Sequence, residues 1–206
     1  GYIAGMNDHA PHQRREPTQA AEGLPRWRWS LAEFERFIDL GILTEDDRVE
    51  LIGGELVPMA AKGVAHENVK GELQDWLHGN LPRRYRIVTE LGWRPGSDTY
   101  CEPDLIVFPR SFKTLSKVPG SAALLIIEIA DTTLKSDLTT KAALYARLAV
   151  REYWVVNSFT LETHVHRNPS QGAYLEVKLR KPATVLKPLL LPGVELRLKD
   201  LEIEAE

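Results

Sequence analysis

From Ser30 onward the apolar positions fall into short periodic groups. Leu31, Phe34, Phe37, Ile38 and Ile42 recur at helical spacing. Ser30 stands where an N-cap belongs, Glu33 three residues later is its capping-box partner, and Gly41 is placed to end the helix. Arg48–Ile52 and Glu55–Met59 are two β-rich runs around Gly53-Gly54, which reads as a hairpin. Val64, Val69, Leu73, Trp76, Leu77 and Leu81 put an apolar stripe on a helix over 65–80, closed by Pro82. Strands are expected over 86–93, 104–108 and 122–130, a helix over 137–149, and three more strands over 152–157, 162–167 and 174–179. Helix and strand alternate without a long polar linker, which predicts one α/β domain with a mixed sheet. The segment 122–157 reads as a βαβ unit, with its two strands parallel and a right-handed crossover. Residues 1–23 lack periodic apolar content and read as a tail, the first five preceding Met6 as a remnant, which leaves 24–206 as a single domain.

Composition narrows the function classes. The chain has 206 residues, enough for one domain or two small ones, and its 43% hydrophobic content is that of a globular core. A single cysteine, Cys101, excludes an internal disulfide framework and a Cys-rich zinc module. With no secretory h-region, it makes a cytoplasmic location the default. No apolar run approaches the length of about 18 residues that a membrane span needs. Lys and Arg number 26 against 29 Asp and Glu, for a formal charge of −3. That balance argues against nucleic-acid binding by net positive charge, but not against a nuclease whose site holds a divalent metal through carboxylates.

Three charged residues fall in apolar places. Glu128 interrupts Ala122–Ala130, which otherwise reads as a strand buried on both faces; an unpaired buried carboxylate costs several kcal/mol, so a metal, a cation or a bound proton must compensate it. Asp104 follows Pro103 at the mouth of the apolar run Leu105–Phe108. Lys141 falls at about 300° on a helical wheel started at Leu138, inside the arc of Leu138, Ala142, Tyr145 and Leu148, with Asp137 one turn earlier as an i,i+4 partner. Two carboxylates on neighbouring buried strands and one inward lysine are the parts of metal-dependent phosphodiester hydrolysis: the acids hold Mg²⁺ or Mn²⁺, and the lysine orients or activates water or neutralises phosphate charge. The same three residues could instead form a buried ion network without catalytic work.

The order of these residues resembles a known pattern. Glu102-Pro103-Asp104-Leu105-Ile106-Val107-Phe108 followed by Ile127-Glu128-Ile129-Ala130 is similar to the PD-(D/E)XK nuclease motif. With Arg48–Leu56, Ala65-His66, Lys141–Arg147, Glu152–Asn157 and Leu190–Val194, the chain from about residue 30 to its end resembles the Uma-two family of restriction-endonuclease-like proteins. That resemblance implies a restriction endonuclease-like mixed β-sheet flanked by helices, with an N-terminal helix and β-hairpin. It implies Asp104 and Glu128 as the metal pair, Mg²⁺ or Mn²⁺ as cofactor and DNA as substrate. Ala130 stands where the superfamily's usual lysine would be, two residues after the second acid, and the family is expected to take its lysine from the next helix, here Lys141. Glu50 matches an acidic position of the family's hairpin and completes the catalytic set, or else faces solvent. His66 reads more simply as a capping or surface histidine. Cleavage of both strands of a duplex suits a homodimer. The rival reading is a catalytically degenerate nuclease fold that binds DNA or a protein partner.

The remaining signals are weaker. Arg83-Arg84-Tyr85-Arg86 and Lys178, Arg180, Lys181 read as solvated basic turns or strand ends, and His164 and His166 as residues of an exposed strand. No phosphate-binding glycine loop or nucleophile elbow is present.

Overall fold

The computed structural model describes residues 26–44 and 46–203. The tail expected over residues 1–23 lies outside them. Helix α1 (Leu31–Asp39) begins on the capping box read from the sequence: the Glu33 N–H bonds the Ser30 hydroxyl at 3.2 Å, and the Ser30 N–H bonds the Glu33 carboxylate at 2.8 Å. Strands β1 (Val49–Ile52) and β2 (Glu55–Pro58) pair antiparallel around Gly53 and Gly54. Both glycines have positive φ, +59° and +85°, the backbone that a two-residue hairpin turn demands. Helix α2 spans Val64–Asn80 and β3 spans Tyr85–Thr89.

One strand was expected over 86–93; two form, in different sheets. β3 ends at Thr89, Glu90 turns into the left-handed region with φ +48°, and β4 (Trp93–Gly96) starts afresh. The Glu90 N–H bonds the Pro103 carbonyl at 3.1 Å, which fixes the break. β5 (Thr99–Cys101), a segment with turn-like composition in its approach, pairs with β1 and β4. The order β2-β1-β5-β4 therefore makes a second, four-stranded sheet where the sequence suggested a hairpin appended to a single sheet.

The larger sheet has six strands in the order β10-β9-β8-β7-β6-β3, built from β6 (Leu105–Pro109), β7 (Leu125–Ala130), β8 (Glu152–Asn157), β9 (Thr163–Ser170) and β10 (Ala173–Arg180). β7 and β8 run parallel, as the βαβ reading requires; the other pairs are antiparallel. The crossover is one helical segment in three parts: α3 (Leu134–Ser136), a π-helical turn (Asp137–Lys141) and α4 (Ala142–Arg147).

Side-chain alternation splits the core in two. Leu105, Val107, Leu125, Ile127 and Ile129 pack with Val69, Leu73 and Leu77 of α2. Ile106, Phe108, Ile126 and Ala130 face the other way, against Trp93, Leu144 and Tyr145. Gly120 sits where the chain passes under the end of α4: a Cβ there would lie 2.3 Å from the Leu148 carbonyl oxygen. Backbone cannot give way as a side chain can, so Gly120→Ala is expected to lower stability by about 1–3 kcal/mol, read as a drop in urea midpoint.

Candidate active site

Glu128 is where the two sheets and the crossover helix meet. It lies on the same side of β7 as Ile126 and Ala130, the side covered by α4, and is 2% exposed. Its Oε1 accepts hydrogen bonds from Lys141 Nζ at 3.0 Å and from the Tyr145 hydroxyl at 2.7 Å. Among the described residues its Oε2 has only the Asp104 N–H, at 3.3 Å. Burial pushes its pKa up to about 8; Lys141 pulls against that, and Asp104, Asp137 and Glu50 add to it.

Asp104 precedes β6, one step beyond the Leu105–Ile127 pair, and this brings it beside Glu128. Its Oδ2 accepts from the Ile129 N–H at 2.9 Å and lies 3.0 Å from His66 Nε2. Its Oδ1 lies 3.0 Å from Lys62 Nζ. Burial acts to raise its pKa, but His66, Lys62 and the Ile129 N–H together hold it well below the usual carboxylate range.

Glu50, on β1, is buried and not facing solvent. Its Oε1 accepts the Glu102 N–H at 2.9 Å, and its Oε2 is 3.5 Å from Lys141 Nζ. Lys141 thus bridges the small sheet and the large one. Burial alone would lower its pKa, yet Glu128, Glu50 and Asp137 hold it well above the ordinary lysine value. The pairing of Asp137 with Lys141 expected from i,i+4 spacing is replaced: Asp137 accepts a 2.5 Å bond from the Thr133 hydroxyl, and the ion pairs of Lys141 are with Glu128 and Glu50. Asp137–Lys141 is a π-helical turn, of a kind that concentrates at functional sites, and the two charges still attract across it without a direct ion pair. A lysine at 130 would emerge beside Glu128, but the ammonium there comes from Lys141.

The structure brings all four residues singled out in the sequence, Asp104, Glu128, Lys141 and Glu50, to one cleft of about 690 Å³. It also corrects His66, which is neither a cap nor on the surface. His66 is buried, its ring between Asp104 Oδ2 and Glu67 Oε1 at 3.0 and 3.1 Å. His166 is likewise buried, against Tyr153 and Tyr174. Sequence reading missed Lys62, which lies in a loop without period, and the roles of Tyr145 and Glu90. Glu90 receives both Lys62, at 2.6 Å, and Lys70, at 2.9 Å, beside Asp104, and the two lysines hold its pKa down at about 2.

The donor set suits a hard divalent cation. Among the described residues no three His, Cys, Asp or Glu side chains gather at ligand spacing. Mg²⁺, however, characteristically takes one or two carboxylates and keeps several waters. Asp104 Oδ1 and Glu128 Oε2 are the least engaged carboxylate oxygens of the pair. The first meets only a partly exposed lysine and the second only one long hydrogen bond.

Among solved structures the chain is similar to one described as a "putative nuclease belonging to DUF820" from Anabaena variabilis ATCC 29413. The two are 20% identical over 83% of this chain and 96% of that one, with a TM-score of 0.66. Smaller overlaps occur with the type IIG restriction endonuclease BpuSI (16% identity, 57% of this chain, 14% of that chain, TM-score 0.37). A third overlap is with NucC from E. coli MS115-1 (21% identity, 45% of this chain, 49% of that chain, TM-score 0.31). No curated protein matches the chain. No described helix is long and apolar enough to cross a membrane. The fold is restriction endonuclease-like, and the Uma2 family profile, described as "Putative restriction endonuclease", matches residues 31–199. With the match running through β1, Asp104, Glu128 and the π-turn alike, this chain belongs to the Uma2 family of restriction endonuclease-like proteins.

Proposed function

We propose that the chain is a divalent-metal-dependent endonuclease that hydrolyses phosphodiester bonds in DNA. The observation that carries this reading is the position of Lys141. Its ammonium is clasped between Glu128 and Glu50 in an open cleft, with Asp104 beside Glu128 and, among the described residues, one N–H of the ammonium left over. Asp104 and Glu128 would hold Mg²⁺ or Mn²⁺. When bound, the ion supplies Lewis-acid polarisation of a phosphoryl oxygen and of water.

The chain's own residues do the rest. His66 and the Ile129 N–H fix the rotamer of Asp104, and Tyr145 fixes that of Glu128. Glu50 holds Lys141 from the opposite sheet, so its free N–H points an attacking water or a phosphate oxygen at the same place each time. Arg26 and Arg48 line the same cleft and suit the phosphates of a nucleic-acid backbone. Cleavage of supercoiled plasmid with Mg²⁺ or Mn²⁺ tests the reading: the wild-type chain cuts, EDTA stops it and Asp104→Asn does not cut. Metal-dependent cutting that is the same in Asp104→Asn overturns it. Binding of duplex DNA without any cutting supports the alternative, a degenerate nuclease fold that docks on DNA or a partner.

Lys62 supplies the positive charge that a metal would otherwise bring to Asp104. Lys62→Met is therefore expected to tighten Mn²⁺ binding several-fold in calorimetry, and unchanged affinity would remove Lys62 from this role.

A further inference from the structure

The outer edge of the large sheet is the strand β10. β10 ends the strand order, and residues 173–180 make no backbone hydrogen bond beyond the β9 ladder among the described residues. It is eight residues long and carries Glu176, Lys178 and Arg180; such charges block pairing with most strands and admit only one whose charges match. Val177 and Leu179 lie across from His166 and His164 on one side and are 50% and 49% exposed, and Leu175 before them is 75% exposed. Glu176, Lys178 and Arg180 take the other side, with Glu176 and Lys178 paired at 2.6 Å.

We propose that β10 is a homodimer interface, in which a second copy of this chain adds antiparallel to β10 about a two-fold axis at Val177. The charge pattern selects that register. A two-fold perpendicular to the sheet keeps each side chain on its own side, so the axis must pass through a residue pair and not between residues. Centred on Glu176, it sets Glu176 against its own copy; centred on Lys178, it sets two lysines face to face. Centred on Val177, it sets each Glu176 against the partner's Lys178 and each Leu175 against the partner's Leu179. The two Val177 side chains then meet at the axis. Opposite charges across strands are favourable and like charges are not. Paired this way, two six-stranded sheets become one of twelve strands, and six exposed apolar side chains cover one another.

Analytical ultracentrifugation of the full chain tests this. The wild-type chain is expected to sediment at twice the mass of one chain across the micromolar range. Glu176→Lys and Val177→Lys should each sediment as monomers, because the first sets a lysine against the partner's Lys178 on both sides of the axis and the second sets two lysines against each other at the axis. The double swap Glu176→Lys with Lys178→Glu should restore the dimer, since it reverses both partners of every pair. All three positions are at the surface, so circular dichroism melting should stay near wild type and separate loss of pairing from loss of fold. A wild-type monomer throughout the range overturns the proposal. So does a dimer that survives both single substitutions, or a double swap that stays monomeric.

Discussion

Replacing Lys141 by Met is expected to destabilise the metal-free protein by about 3–5 kcal/mol, the range for removing one partner of a buried ion pair. Lys141 is the ammonium beside Glu128 and Glu50, and its side chain is only 17% exposed. Methionine fills similar volume without charge, so the loss is electrostatic. Glu128 then keeps only the Tyr145 hydroxyl and the long bond from the Asp104 N–H, while Glu50 keeps the Glu102 N–H. Combining Lys141→Met with Glu128→Gln should recover much of the loss, because a neutral amide needs no counter-charge; a coupling of at least about 1 kcal/mol is expected from contacting groups. Urea unfolding in EDTA, at a pH above about 8 where Glu128 has given up its proton and Lys141 is still charged, measures all four corners of the cycle. A cost below about 1 kcal/mol for Lys141→Met would show that the cluster is not held as an ion network. The pH dependence has a definite sign. A folded-state pKa raised to about 8 means that the folded chain keeps a proton the unfolded chain has already released. The contribution of Glu128 is therefore present below its ordinary value of 4.5 and is lost as pH rises toward about 8. Glu128→Gln should abolish that slope.

The second large effect is on cleavage. Asp104→Asn, Glu128→Gln and Lys141→Ala are each expected to lower metal-dependent cutting by about 100-fold to 1,000-fold, the range for removing one charge-stabilising group from a reaction centre. Asparagine and glutamine keep the shape of the acids and their hydrogen-bonding capacity, but remove the anionic oxygen that a hard cation needs. Glu128→Gln relieves the apo fold, because burial and like charge already favour the neutral group; Asp104→Asn removes a charge that His66, Lys62 and the Ile129 N–H stabilise, so it is expected to melt lower than wild type while remaining folded. His66→Asn should lose less, about 10-fold to 100-fold, because it acts through the orientation of Asp104. The assay belongs well below the melting temperature of Lys141→Ala, so that lost activity is not lost fold.

Periodicity carried the parts of the molecule that a local rule controls. Ser30 and Glu33 announce a capping box and Gly53-Gly54 a hairpin, and both form; the buried strand expected over Ala122–Ala130 forms from Leu125, after a 3-10 turn at Gly120–Ala122. Glu128 was visible because one charge in an apolar strand has no cheap explanation. Lys141 was visible because it sits one turn before Leu144 and Tyr145, both inward, and the π-turn did not reverse that orientation. The turn itself left no mark in the sequence, and the Thr133 hydroxyl, not Lys141, is the direct partner of the Asp137 carboxylate. Glu90 is the clearest failure of local reading. The run from Arg86 to Trp93 has strand composition throughout, and the break comes from contacts with Pro103, Lys62 and Lys70, all distant in sequence. His66 and Lys62 were illegible as site residues for the same reason. They reach Asp104 from across the fold, and no spacing in the chain records that approach.

Calorimetric titration of Mn²⁺ into the EDTA-stripped protein bears most directly on whether Asp104 and Glu128 form a metal site. The wild-type chain is expected to bind with micromolar to millimolar affinity, and that binding should vanish in both Asp104→Asn and Glu128→Gln while both variants melt as folded proteins. The same isotherm in all three proteins would contradict the assignment.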